Sequence, residues 1–147
     1  MSEANKDIVR RYQEIYNRNQ LEDLHEVLDP NWTTNGWPEV MPQTFEAAKE
    51  LYQMLLASWP DLEYLTLDLI AEGDKVVQHW KARGTFKGEI FGLQPTGEVT
   101  EADGISIFRI AGGKIVEHVA FADDLGFWTQ LGVEFPEFMS AVQHKSS

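Results

Sequence analysis

Residues 99–126, VTEADGISIFRIAGGKIVEHVAFADDLG, decide the fold. The pattern of 99–110 is that of a strand whose side chains point to opposite faces in turn. AGGK at 111–114 reads as a turn, and KIVEHVAFA at 114–122 as a second strand, apolar enough to be mostly buried. That strand ends on two carboxylates, Asp123 and Asp124, with His118 midway. An acid pair there can cap a following helix, or it can put a general base inside a pocket.

The same pattern extends upstream. LEYLTLDLIA, residues 62–71, alternates with Leu65, Leu67 and Leu69 on one side, and the turn EGDK at 72–75 leads into VVQHWKARGTF. That run is rich in β-branched and aromatic residues, which favour strands. A Gly- and Pro-marked connection, GLQPTGE, joins it to residue 99. Three turns joining four consecutive strands predict an antiparallel meander. The first third has helical spacing instead. Ile8, Tyr12, Ile15 and Tyr16 share one face, and Leu21, Leu24 and Leu28 mark a shorter second helix that Asp29-Pro30-Asn31 stops. NWTTNGWPEVMPQ, residues 31–43, reads as a loop with a short extended piece. Gln43 or Thr44 can cap a third helix whose buried face is Phe45, Ala48, Tyr52, Leu55 and Trp59. A short final helix, LGFWTQLG, comes after the acid pair. Helices first and strands second predict an α+β fold, with the helices packed on one face of a curved four-stranded antiparallel sheet.

Composition bounds the function. The 147 residues are 43% hydrophobic, which suits one domain, 1–147, with one sizeable core. No cysteine is present, so thiolate chemistry is excluded. No apolar run approaches the roughly 18 residues of a membrane span, and MSEANKDIVRRY lacks the apolar stretch of a secretory signal. The expected location is cytoplasmic, with no membrane partner. The net charge of −12 and the scattered Lys and Arg speak against a nucleic-acid partner. Aromatics make up 12% of the chain, including five Trp, enough to line a cavity as well as fill a core. No pair of histidines has the spacing of a metal site, so no metal is expected.

Two long stretches carry a family resemblance: GDKVVQHWKARGTFKGEIFGLQPTG, and then GISIFRIAGGKIVEHVAFADDLGFWTQLG. With DIVRRYQEIYNRNQLEDLHEVLDPNW and SWPDL, the resemblance covers residues 5–132. The chain resembles the SnoaL-like polyketide cyclase (ester cyclase) family. That resemblance implies the nuclear-transport-factor-2-like fold, an α+β cone in which helices cover a strongly bent antiparallel sheet around a deep apolar pocket. Enzymes and noncatalytic binding proteins share the fold, so the fold alone gives no function.

The resemblance also nominates residues. Asp123, seven residues before Gln130, matches the family's catalytic acid/base. A carboxylate among apolar side chains has its pKa raised, by as much as roughly 3–5 when fully buried, and can then move protons near neutral pH. Asp124 is expected to cap the last helix. His118 lies in a family motif and is either catalytic or structural. Strand parity groups Asp123 with Val119 and Phe121, which are expected in the pocket with Trp80 and Phe86. Glu117 shares that parity, with a surface ion pair as its plainer reading, and His79 is expected at solvent or at a subunit interface. Asn35, Trp37 and Met41 belong to a loop resembling the family's pocket mouth, while Tyr12, Tyr16 and Tyr52 on helix faces can offer hydroxyls. Three positions depart from a common family pattern: Phe86 and Asn35 where histidine is frequent, and Val119 where tryptophan is frequent.

The expected activity is that of a cofactor-independent cyclase or isomerase acting on a small apolar, polyketide-like carbonyl compound. Asp123 abstracts a proton beside a carbonyl, and Asn35, His118 or water hydrogen-bonds the oxyanion. A noncatalytic small-molecule binder, or a dehydratase or hydrolase, is the competing reading. Apolar residues on both strand parities, such as Val76 and Val77 or Ile107 and Phe108, predict a homodimer through the sheet or a higher homo-oligomer.

Overall fold

Val9 and Ile15 are fully buried on the apolar stripe of the first helix, α1 (Ser2–Asn17), which lies across the sheet. The computed structural model describes residues 2–134; residue 1 and residues 135–147 of the expected 1–147 domain lie outside the described residues. Two residues past the end of α1, Asn19 has a φ of 52°, which lets the Gln20 N–H reach back to the Ile15 carbonyl at 2.8 Å. Asn17 then pairs with both backbone groups of Tyr64, at 2.9 and 2.8 Å, and ties the helix end to the sheet. The expected second helix is a 3₁₀ helix, Leu21–Glu26. Leu28 lies outside it, as the first residue of strand β1 (Leu28–Thr34).

Helix α2 (Phe45–Ser58) starts at Thr44, which accepts the Ala47 N–H at 3.1 Å, and buries Ala48 and Tyr52. Strands β2 (Glu63–Glu72), β3 (Lys75–Thr85), β4 (Val99–Ala111) and β5 (Lys114–Ala122) form the expected antiparallel meander. Helix α3 (Asp124–Gln130) closes the described chain. The fold is therefore α+β, with helices on one face of the sheet, as the sequence predicts.

Among the described residues the sheet has five strands rather than four, in the order β1-β5-β4-β3-β2, and β1 runs parallel to β5. Asp29-Pro30-Asn31, a helix stop by its sequence, lies inside β1. Proline is tolerated on an edge strand, where its missing N–H faces no partner, and β1 is an edge. Beyond the last residue of β1 the pairing continues through a side chain. The Asn35 amide donates to the Ala120 carbonyl at 2.8 Å and accepts from the Ala120 N–H at 2.9 Å, standing in for one more backbone residue.

Register decides which side chains face the helices. Opposite β4, Arg109 pairs with Glu117 but Ile110 pairs with Ile115, so Val116 is an extra residue in β5. The bulge brings Ile115 and His118 to the same face, although their spacing is odd. Val76, Gln78, Trp80, Gly104, Ser106 and Phe108 point to that side as well, while Val77, His79, Ile105, Ile107, Val119 and Phe121 lie on the outer face.

The Asn35 clamp gives a stability test. Asn35→Ala removes two hydrogen bonds joining the parallel edge strand to β5, and the expected loss is about 1–2 kcal/mol in chemical denaturation. An unchanged midpoint would mean that backbone pairing alone holds β1.

Candidate active site

Between the helices and the inner sheet face lies a cavity of two lobes. The first, about 290 Å³, is bounded by Tyr12, Gln13 and Tyr16 of α1, Tyr52 and Leu55 of α2, and Trp37 of the loop after β1. From the sheet it receives Tyr64, Gln78, Trp80, Ser106, Phe108, His118 and Ala120. The second lobe, about 250 Å³, lies among Trp59, Leu62, Ala82, Ile90, Phe91, Phe127 and Trp128. Leu55, Tyr64 and Trp80 border both lobes and form the partition between them. Trp80 fits there because residue 104, across the ladder, is glycine: a Cβ at that position would overlap the indole ring.

Among the described residues, His118 is the only imidazole in either lining. Its ring stacks on Phe108 with centroids 4.4 Å apart and an interplanar angle of 10°, and Tyr12 meets it edge-on at 5.8 Å. Nε2 lies 2.9 Å from Ser106 Oγ, and that oxygen also accepts the Trp80 indole N–H at 2.9 Å. Burial pushes the His118 pKa down to about 4, so the ring is neutral at pH 7. A second polar cluster stands beside it. Gln78 donates to the Gln13 side-chain oxygen at 2.7 Å and to Thr66 Oγ1 at 2.8 Å, and the Thr66 hydroxyl donates to the same Gln13 oxygen at 2.8 Å. Burial raises the phenols of Tyr12, Tyr16 and Tyr64 above their ordinary range, so all three stay protonated as potential donors. The Tyr52 hydroxyl, pushed up to about 12, is already spent on the Tyr16 carbonyl at 2.9 Å.

The structure brings together His118, Trp37, Tyr16, Tyr52 and Trp80, all in the lining of the first lobe. It separates the others. Asp123 caps α3: its carboxylate accepts the Gly126 N–H at 3.0 Å, the residue is exposed, and it lines neither lobe. Asp124, expected as the cap, is instead the first residue of that helix. Among the described residues no Asp or Glu lines either lobe. Val119 and Phe121 lie on the outer face, because the bulge at Val116 turns the even-numbered residues His118 and Ala120 inward. Phe86 is fully buried in a separate cluster, stacked on Trp59 at 5.3 Å. Asn35 spends its amide on Ala120. Met41 serves the pocket indirectly, since its carbonyl accepts the Trp37 indole N–H at 3.0 Å. On the outer face His79 pairs with Asp103 at 2.6 Å and Glu117 with Arg109 at 3.6 Å.

Sequence reasoning missed Gln13, Tyr64, Gln78 and Ser106. Parity holds the signal for two of them: Gln78 lies two residues before Trp80, and Ser106 two before Phe108, on strands already read correctly. Among the described residues no group of three or more His, Asp or Glu is arranged to hold a metal ion, and no helix is long and apolar enough to cross a membrane.

The sequence model of SnoaL-like polyketide cyclases matches residues 6–131. Aklanonic acid methyl ester cyclase DauD of Streptomyces sp. (strain C5) is 31% identical over 136 residues, covering 88% of this chain and 83% of the relative. Aklanonic acid methyl ester cyclase DnrD of Streptomyces peucetius is 29% identical over 135 residues, covering 88% and 92%. Among solved structures, wild-type IdmH from Streptomyces antibioticus superposes with a TM-score of 0.77 at 30% identity, covering 88% of this chain and 99% of IdmH.

The buried imidazole predicts a pH dependence of stability. In the unfolded chain His118 titrates near 6.5, and in the folded chain near 4. Between those values the unfolded state holds a proton that the folded state does not, so stability falls as pH drops through that window. Denaturation at pH 7 and near pH 4 should show wild type losing more stability than His118→Gln, by on the order of 1–3 kcal/mol. Parallel losses would mean that His118 is not held neutral by burial.

Proposed function

The chain belongs to the SnoaL-like polyketide cyclase family, and on that premise we propose that it closes a ring in a largely apolar, polyketide-like carbonyl substrate. The observation that carries this reading is the distribution of polarity in the cavity. The hydrogen-bonding groups Gln13, Gln78, Ser106 and His118 gather in the first lobe, while the second is walled mainly by aromatic and aliphatic side chains. Such a site suits a molecule with an apolar body and a carbonyl at one end. The reaction is an aldol-type cyclisation. A proton leaves the carbon beside a carbonyl, the enolate carbon attacks a second carbonyl of the same molecule, and the resulting alkoxide takes a proton back. No oxidant or reductant is consumed.

In this reading His118 and the protonated tyrosines hold a substrate oxygen as negative charge builds on it. Neutral donors aimed into an apolar-walled lobe are effective there because they are already oriented toward the oxygen on which the charge develops. Asp123 is the proposed base. Its support is the match to the family's acid/base position and its place at the N-terminus of α3, the helix that carries Phe127 and Trp128 to the second lobe. His118 and Asp123 lie five residues apart on and beyond one strand, roughly 16 Å along it, so they act on different parts of a long substrate. A second reading makes His118 the proton acceptor and Asp123 a cap only. The observation favouring it is the carboxylate's bond to the Gly126 N–H, outside either lining.

Two substitutions separate these readings. Asparagine is as good an N-cap as aspartate, so Asp123→Asn should fold normally. If Asp123 is the base, kcat on a polyketide ketone falls roughly 10²-fold or more. His118→Gln then raises KM with a smaller effect on kcat. A His118→Gln variant that loses kcat while Asp123→Asn keeps it would transfer the base role to His118.

The outer sheet face supports a proposed homodimer. Ile70, Val77, Ile107 and Val119 form one row across four strands, and the paired Ile105 and Phe121 lie next to it. Ile70, Ile105 and Phe121 are 57%, 48% and 71% exposed, an apolar area of the kind that partner surfaces cover. Light scattering at micromolar concentration should give twice the chain mass, and Ile107→Lys should shift the population to monomer. A monomeric wild type contradicts the proposal.

A further inference from the structure

The Ser106 hydroxyl sits between two ring nitrogens, and only one distribution of protons satisfies all three groups. The Trp80 indole N–H is a donor only, so at 2.9 Å it occupies a lone pair of Ser106 Oγ. The hydroxyl has one proton to give. Among the described residues, the side-chain acceptor within reach is His118 Nε2, also at 2.9 Å. The reverse arrangement, with Nε2–H donating to Ser106, leaves the proton of a hydroxyl in a residue only 3% exposed without an acceptor. Nε2 is therefore the acceptor, and the single proton of the neutral ring sits on Nδ1. Nδ1 has no protein partner among the described residues, and no unpartnered side-chain nitrogen or oxygen among them is sealed from solvent. It is therefore reached from the first lobe, which the ring lines.

We propose that Ser106 and Trp80 are positioning residues that fix His118 as the Nδ1–H tautomer, making the first lobe a donor site for a ketone or enolate oxygen. Trp80 has two tasks in consequence: its ring divides the lobes, and its N–H turns the Ser106 hydroxyl proton toward His118 Nε2. The inference rests on the cyclase reading only for the identity of the substrate oxygen; the tautomer follows from the three side chains. Burial, which keeps the ring neutral, works in the same direction, because a protonated ring would have no tautomer to choose. Tyr12 meets the ring, Tyr16, Tyr52 and Tyr64 line the same lobe, and among the described residues no acidic or cationic side chain joins that lining.

The test uses the full chain, ¹⁵N-labelled, at pH 7. Long-range proton–nitrogen correlation distinguishes a protonated from an unprotonated imidazole nitrogen, and the His118 signals are identified by their absence in His118→Gln. Wild type should show a protonated Nδ1 and an unprotonated Nε2. Trp80→Phe removes the indole N–H without touching His118 and opens room beside Ser106 for a water that can accept its hydroxyl proton, so Nε2–H should appear alongside Nδ1–H. Binding is read with 2-acetylnaphthalene against 2-isopropenylnaphthalene, which has nearly the same shape with a methylene in place of the carbonyl oxygen. Wild type should prefer the ketone by about two- to tenfold, the worth of one neutral hydrogen bond, and Ser106→Ala should reduce that preference. An Nε2–H tautomer in wild type overturns the proposal without any variant having to fold. So does an Nδ1–H tautomer that persists unchanged in both Trp80→Phe and Ser106→Ala. Equal affinity for the two naphthalenes overturns the donor site. Turnover is not measured in any of these arms, so a failure of the cyclase reading, seen as no ring closure with a polyketide ketone, is distinguishable from a failure here.

Discussion

Val116 is one residue more than the β4–β5 ladder needs, and the composition of the cavity depends on it. Without the bulge, Ile115, Glu117, Val119 and Phe121 would share the inner face, and the lobe would receive a carboxylate and a phenyl ring. With it, Ile115 keeps its place in the core and the inner positions beyond become His118 and Ala120. The same step sends Glu117 outward to Arg109 and leaves Val119 and Phe121 on the apolar outer face. One inserted residue thus specifies both the cavity wall and the surface available to a partner. Bulges frequently lie next to functional sites for this reason, because they re-aim every side chain after them.

Once His118 points inward, its surroundings fix its chemistry. Phe108 on one face and Tyr12 at the edge remove water from the ring, which lowers its affinity for a proton. Loss of solvent also makes each remaining hydrogen bond selective, since an unmet donor or acceptor has nothing else to bind. Gln78, buried beside it, meets the same demand through a closed triangle of bonds with Gln13 and Thr66. The partition at Trp80 depends in turn on Gly104, an inner position of β4 where any side chain would displace the indole. Packing and polarity are therefore set together: the glycine that admits Trp80 also brings its N–H to Ser106.

The sequence was legible wherever a pattern repeats. Alternation located β2 to β5 and their turns, and helical spacing located α1 and α2 with the Thr44 cap. It was illegible where one residue changes the count. Leu28 to Thr34 contain Asp, Pro and Asn, which read as a helix stop, and only the sheet edge shows why a strand accepts them. Val119 and Phe121 read as pocket residues because β-branched and aromatic residues look alike on either face, and no local signal announces Val116 as a bulge. Asp123 and Asp124 are both good capping residues, so the choice between them depends on where α3 begins. Trp37, Trp80 and the helix tyrosines Tyr12, Tyr16 and Tyr52 are legible because large aromatic side chains have few places to go other than a core or a cavity wall. Ser106 and Gln78 escape notice because small or amide side chains carry no chemistry until their partners are known.

Among the described residues neither lobe is lined by lysine or arginine, and the whole chain carries a net charge of −12. A molecule approaching the cavity crosses a negative field and then loses its hydration against aromatic walls. For a neutral ketone the first step costs almost nothing, and the second removes water from one oxygen that His118 can serve. A free carboxylate is repelled on approach and, inside, would find no cation to replace its water. A charged and an uncharged molecule of the same shape therefore differ in association rate before contact. That difference shrinks as added salt screens the surface charge, while the discrimination by desolvation inside the lobes remains.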